Sequence, residues 1–344
     1  MLTIDGSYGE GGGQLLRLAA ALSAVTATPI DVVNVRAGRE KPGLAAQHLT
    51  AVRAVARIAA GRLEGDALRS TRLRLVPGAV RAGCYRFDVG TAGSITLVLQ
   101  ALLPLLLGLN GASSVTVTGG TDVRQAPPLD YFRNVLLPLL ARAGVHAECR
   151  LARRGSYPAG GGEVTLHVQP APLRPLSLER RGRLQCIRGS AHVARLPASI
   201  AERMRDSALA QLPVESAAAA QVRLDALERE DSTGPGGAVV LWAECDEAVL
   251  GAGAVAERGV RAEALGERVG RELAQDLALG ATVDVHAADQ ILVYLALLRQ
   301  PAAFHARELS QHARTAIWLI QQFLPVRFEA QAHGALTRVS VAAR

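Results

Sequence analysis

The chain has 344 residues, 49% of them apolar and 20% charged, the composition of an ordinary globular protein long enough for two or three domains. A net charge of +7 and a pI near 9.8 favour an anionic partner. An aromatic content of 3% argues against extended base-stacking platforms, and the dispersed Cys84, Cys149, Cys186 and Cys245, without CxxC spacing, argue against a disulfide framework or a cysteine zinc site.

In chain order, Leu2–Asp5 reads as a strand, the glycines at 11–13 as a turn and Gln14–Val25 as a helix with apolar residues at helical spacing. A strand at Ile30–Arg36 and a helix within Gly43–Ala60 follow. Leu73–Val76 and Tyr85–Val89 are expected to pair across a glycine-containing turn. The order then recurs. Gly90-Thr91-Ala92-Gly93-Ser94 opens a helix over 95–107, Ser114–Thr118 is a strand, Leu129–Ala143 a helix and Val164–Val168 a strand. A third copy is expected late in the chain: Ala281–His286 as strand, Ala288–Leu298 and Ala316–Leu324 as helices, and strands near Val326–Glu329 and Thr337–Val341.

This pattern predicts an α/β (α+β) fold of three βαβαββ units with a smaller α/β domain inserted before the third. The first two units occupy residues 1–182, the insert 183–278 and the third unit 279–344. The insert is marked by Pro170, Pro172 and Pro175 before it, a helical stretch Ser199–Leu212, a turn at 234–237, a strand at Ala238–Ala243 and a helix at Ala262–Leu277. The longest apolar run, Ile95–Leu109, is broken by Gln100 and Pro104 and is too short to span a bilayer. The first residues lack the basic and apolar regions of a signal peptide, so a cytoplasmic protein without membrane contact is expected.

Chemistry-bearing residues gather at expected helix starts. His312 lies in Gln311-His312-Ala313-Arg314-Thr315, just before an apolar helix for which Thr315 is read as the N-cap. Free N–H groups and the helix dipole suit a phosphate there, and a neutral imidazole can attack phosphorus. Lys41 is the only lysine, and Lys41-Pro42-Gly43 lacks the Asp-Gly that usually follows closely on the nucleophile of lysine-adenylating ligases. Gly9-Glu10-Gly11-Gly12-Gly13-Gln14 matches neither the dinucleotide nor the Walker spacing; it is a tight turn or a phosphate-approaching loop, with Glu10 a candidate metal ligand and Arg17 a candidate phosphate clamp. Arg36, Arg39 and Lys41 share a proline-stiffened loop that is either solvated or phosphate-facing. His48, beside Gln47, is the rival nucleophile or a core histidine. Tyr157-Pro158-Ala159-Gly160-Gly161-Gly162 reads only as a tight turn.

Together these strings, with Gly93-Ser94, Leu97, Gln100, Gly119-Gly120-Thr121-Asp122, Ala288-Asp289-Gln290 and Phe323-Leu324-Pro325-Val326-Arg327-Phe328, resemble the RNA 3′-terminal phosphate cyclase family over essentially the full length. The resemblance implies an ATP-dependent conversion of an RNA 3′-phosphate end to a 2′,3′-cyclic phosphate through a histidyl-AMP. It assigns the nucleophile to His312, the terminal phosphate to Arg17, Arg39 and Gln47, and a Mg²⁺ or Mn²⁺ ion to Glu10. It places Gln100, Pro127, His286, Ala287, Ala288, Asp289 and Gln290 at the ATP. Two other readings are a cyclase-like binding factor in ribosome assembly and a carboxyvinyl transferase, whose fold repeats the same unit. The sequence leaves the oligomeric state open, a homodimer being one of the states.

Overall fold

Two successive βαβαββ units open the computed structural model, which describes residues 1–176 and 178–344. The first comprises β1 (Leu2–Asp5), α1 (Gly13–Thr26), β2 (Ile30–Val33), α2 (Ala46–Ile58), β3 (Arg62–Glu64) and β4 (Leu73–Val76). Its sheet runs β1-β2-β4-β3, with the first pair parallel and the others antiparallel. The second comprises β5 (Cys84–Asp88), α3 (Ile95–Leu106), β6 (Ser113–Gly119), a helix in three pieces, β7 (His146–Arg153) and β8 (Gly162–Gln169). The three pieces are α4 (Leu129–Tyr131), a π turn (Phe132–Leu136) and α5 (Leu137–Ala141). The order β5-β6-β8-β7 and the sense of each pairing repeat those of the first sheet.

The last unit comprises α9 (Val285–Leu298), β13 (Ala302–Ala306), α10 (Gln311–Phe323), β14 (Val326–His333) and β15 (Leu336–Ala343), with sheet order β13-β15-β14. Among the described residues its first strand shows as one parallel bridge, Leu178 to Phe304. Between Leu178 and α9 run β9 (Leu184–Ala194), α6 (Ala198–Leu209), α7 (Val214–Ala219), β10 (Gln221–Leu227), β11 (Gly236–Cys245), β12 (Val249–Val255) and α8 (Ala262–Leu279). These form a separate sheet, β10-β9-β11-β12, with its own apolar cluster including Ile187, Met204, Leu241, Leu250 and Val269. Helix α8 crosses α6 closely. A Cβ on Gly266 would stand 2.2 Å from the Met204 carbonyl oxygen.

Helices of all three units pack on one another. α1 touches α2, α3 and α10, and α9 touches α3 and α10. Leu16, Leu22, Val55, Leu102, Leu292 and Leu319 are wholly or almost wholly buried in this shared core, so the starts of these helices are brought together by apolar burial. No helix among the described residues is long and apolar enough to cross a membrane.

Three local expectations are corrected. Leu73–Val76 and Tyr85–Val89 do not pair; β4 pairs with β2 and β3, while β5 opens the second sheet. The three-residue β3 had supplied too little alternation to be recognised. Ala281–His286 is not a strand, because the Thr282 and Val283 N–H groups both bond the His305 carbonyl and Asp284 then caps α9. Thr315 is not an N-cap: Ser310 accepts from the Ala313 N–H at 3.0 Å, and α10 begins at Gln311.

A buried ionic cluster fastens the 184–279 region to the second unit. Arg154, 3% exposed, donates to Asp122 at 2.9 Å and to Asp130 at 2.7 Å. Ser190 of β9 donates to Asp130 at 2.9 Å, and His192 of the same strand stands 3.5 Å from Asp122. Burial alone would raise the Asp122 pKa, but the Arg154 guanidinium, His192 and Thr121 hold it below the ordinary 3.8. Its contribution to stability is therefore complete above pH 3.8 and is lost as pH falls through the lowered folded value. Arg154→Met strands two carboxylates in the interior and should cost about 3–5 kcal/mol. Urea unfolding of both proteins measures it, and a difference near zero contradicts the assignment.

Candidate functional site

Five helix starts meet around one polar centre. His312, the second residue of α10, directs Nδ1 to Gln14 Oε1 of α1 at 2.7 Å. The amide oxygen only accepts, so Nδ1 carries the hydrogen and the Nε2 lone pair is free. The Glu10 carboxylate lies 3.6 Å from the same Nδ1. Partial burial, then Arg17 and Arg39, push the His312 pKa below 6.5, which keeps the ring neutral and nucleophilic near pH 7. Thr315, one turn on, ties loop to helix: its hydroxyl accepts from the Glu10 N–H at 3.3 Å and donates to the Gln311 carbonyl at 2.8 Å.

Arg17 is buried in α1, and its guanidinium has no hydrogen-bond partner among the described residues. Burial lowers its pKa to about 10, Asp289 opposing, so it stays charged at neutral pH. Arg39, exposed on its loop, forms an ion pair with Glu10. Gln47 Oε1 accepts the Ser94 N–H at 2.9 Å, which joins the starts of α2 and α3 and leaves its NH₂ free to donate. His48 is buried, and its Nδ1 accepts the Ala45 N–H at 3.2 Å. Burial, then Arg17 and Arg36, hold its pKa down to about 3. It is a fixed neutral group against the glycine turn, where a Cβ on Gly13 would meet Nε2 at 1.8 Å. His312, not His48, has the accessible ring.

On the other flank, Gln100 of α3 donates to Gln290 of α9 at 2.7 Å, and the Pro127 carbonyl accepts from Thr96 at 2.9 Å. Burial pushes the Asp289 carboxyl up to about 7, against the pull of His286 and Arg17 and with the push of Asp284. His286 turns to Glu272 of α8 at 3.4 Å, and that bond raises it to about 9. Ala287 and Ala288, expected at the nucleotide, have fully buried side chains in the main core. They point inward because α9 presents that face to α10 and the second unit.

Two contributors were not singled out from the sequence. Gln14 sits inside the glycine string, but its role needs a partner 298 residues away. Asp284, fully buried, accepts from Tyr131 at 2.6 Å, Gly251 N at 3.0 Å, His286 N at 2.9 Å and Ala287 N at 2.8 Å. Among the described residues no three His, Cys, Asp or Glu side chains gather as a metal cage. Glu10 is a single hard oxygen donor, which fits an ion such as Mg²⁺ that keeps most of its shell as water and phosphate.

A family model described as RNA 3′-terminal phosphate cyclase matches residues 8–330. The chain belongs to that family. It is 51% identical over 340 residues to the RNA 3′-terminal phosphate cyclase of Nitrosospira multiformis, covering 98% of this chain and 96% of the relative. Those of Pyrobaculum neutrophilum (44% over 333 residues; 96% and 95% covered) and Korarchaeum cryptofilum (42% over 331; 96% and 94%) are also similar. The solved enolpyruvyl transferase NikO of Streptomyces tendae is a much weaker likeness, with a TM-score of 0.39 and 12% identity over 99% of this chain and 48% of that one. It bears on neither the fold nor the chemistry.

Two outcomes follow for His312. The acid limb of its reaction with a phosphoryl electrophile should lie below pH 6.5, and Arg39→Gln should move that limb upward, since removing a nearby cation raises an imidazole pKa. Gln14→Leu removes the acceptor that fixes the tautomer and should slow the same step about tenfold or more. Single-turnover rates across pH check both, and unchanged profiles refute the assigned roles.

Proposed function

We propose that this chain converts an RNA 3′-terminal phosphate to a 2′,3′-cyclic phosphodiester at the expense of ATP, with His312 as the covalent nucleophile. The observation that carries the reading is the His312 ring itself, with Nδ1–H on Gln14, Nε2 free, and Arg17 and Arg39 lowering its pKa. Family membership supports the same substrate class.

In the first step His312 Nε2 attacks the α-phosphorus of ATP, a P–N bond forms, and the bond to pyrophosphate breaks. An oxygen of the RNA 3′-phosphate then attacks the same phosphorus. The P–N bond breaks and the imidazole is restored. The vicinal 2′-hydroxyl next loses its proton and attacks the 3′-phosphorus, and AMP leaves. Activation is needed because a phosphate monoester oxygen is a poor leaving group; closure is favoured because both groups sit on one ribose.

Arg17, with its unshared donors, and Gln47, with its free NH₂, hold the terminal phosphate beside the helix starts. Gln100, Pro127, Asp289 and Gln290 line the nucleotide side, with His286 at its edge. Glu10 would hold Mg²⁺ or Mn²⁺, which when bound offsets phosphate charge. Arg39, paired with Glu10 in the free protein, then turns to phosphate.

Incubation with α-labelled ATP and a divalent ion, followed by peptide mass spectrometry, tests the reading. The wild-type protein should carry AMP on His312, while His312→Ala and His312→Asn carry none and lose cyclisation by roughly 10⁴-fold or more. A wild-type chain that takes no label favours a binding factor. Label on His48 overturns the choice of nucleophile, and turnover of phosphoenolpyruvate would rescue the transferase reading.

A further inference from the structure

Tyr8 lies two residues before Glu10 and is 43% exposed. Its ring stacks on Trp318, with centroids 3.8 Å apart and planes inclined by 18°. Trp318 packs in turn on the main core, so Tyr8 is a surface ring with a rigid backing. The pair is fixed relative to the nucleophile. Trp318 is six residues beyond His312 on the same helix, about 9 Å along its axis. The Thr315 clamp joins that helix to the Glu10 loop between them. Arg39 reaches the same loop, which adds a cation beside an apolar face. The proposed adenosine contacts lie elsewhere, on α3, α9 and the loop before α4.

We infer that the stacked Tyr8–Trp318 pair is a binding platform for the nucleobase of the RNA's terminal nucleotide. The inference rests on the cyclase reading above and adds a contact for the part of the substrate that does not react. A free aromatic face beside a phosphate site suits a base whose phosphate is held by arginines, and stacking tolerates any base because each has a π face. One backed ring serves one base, which agrees with a chain too poor in aromatic residues for a longer track.

The test compares two substrates, a short RNA ending in a normal nucleoside 3′-phosphate and the same RNA with an abasic 3′-nucleotide. With wild-type enzyme and with Tyr8→Phe, removing the base should lower kcat/KM about tenfold, mostly through KM. With Tyr8→Ala and Tyr8→Leu the two substrates should differ by less than about twofold, because the partner of the base is gone. A full base effect in Tyr8→Ala, or none in the wild type, overturns the platform. A rise confined to the KM for ATP assigns the ring to adenine and overturns it too. If wild-type enzyme cyclises neither RNA, the cyclase reading fails, an outcome separate from failure of the platform.

Discussion

One carboxylate holds together parts that the chain keeps far apart. Asp284 accepts four hydrogen bonds while fully buried: one from Tyr131 in the second unit, one from Gly251 in the 184–279 region, and two from the first turn of its own helix. A buried carboxylate with fewer partners would be costly. With four, it both caps α9 and sets where that helix begins relative to its neighbours. The positions of Asp289 and Gln290 follow from it, and so does the meeting of Gln290 with Gln100.

The same economy governs the seam with the inserted sheet. Asp122, Asp130 and Arg154 bring two negative charges and one positive into a buried interface, where Ser190 donates to Asp130 from the other side and His192 stands 3.5 Å from Asp122. Such a cluster adds little net stability over an apolar contact but penalises any misplacement heavily. It therefore fixes orientation. The string Tyr157–Gly162, in which the sequence shows no chemistry, lies next to this seam: Thr233 donates to the Gly160 carbonyl and a Cβ on Gly161 would touch Thr233. Its glycines serve a close crossing of chains.

Much of this was legible from residue order, and the failures have common causes. The first two units could be read because their strands alternate and their helices carry long apolar faces, as in Gln14–Val25 and the run after Ser94. Segments such as β3 and β13 could not, since neither carries enough apolar–polar alternation to count. The apolar alternation of Ala281 and Val283 resembles a strand, yet the Thr282 and Val283 N–H groups both go to one carbonyl of β13. At the site, His312, Glu10 and Arg17 were singled out because each lies at or near an expected helix start in a distinctive string. Gln14 and Asp284 were not, since a hydrogen-bond acceptor shows its purpose only when its donor is in place. Ala287 and Ala288 were read into the site by their motif, and α9 turns their side chains into the core.

His312 and Gln14, whose side chains meet at 2.7 Å, stand 298 residues apart in the chain. During synthesis α1 waits for this partner until α10, the last helix among the described residues, has emerged. A chain cut short before α10 lacks this pairing altogether, so the contact between Gln14 and His312 waits on the late helix.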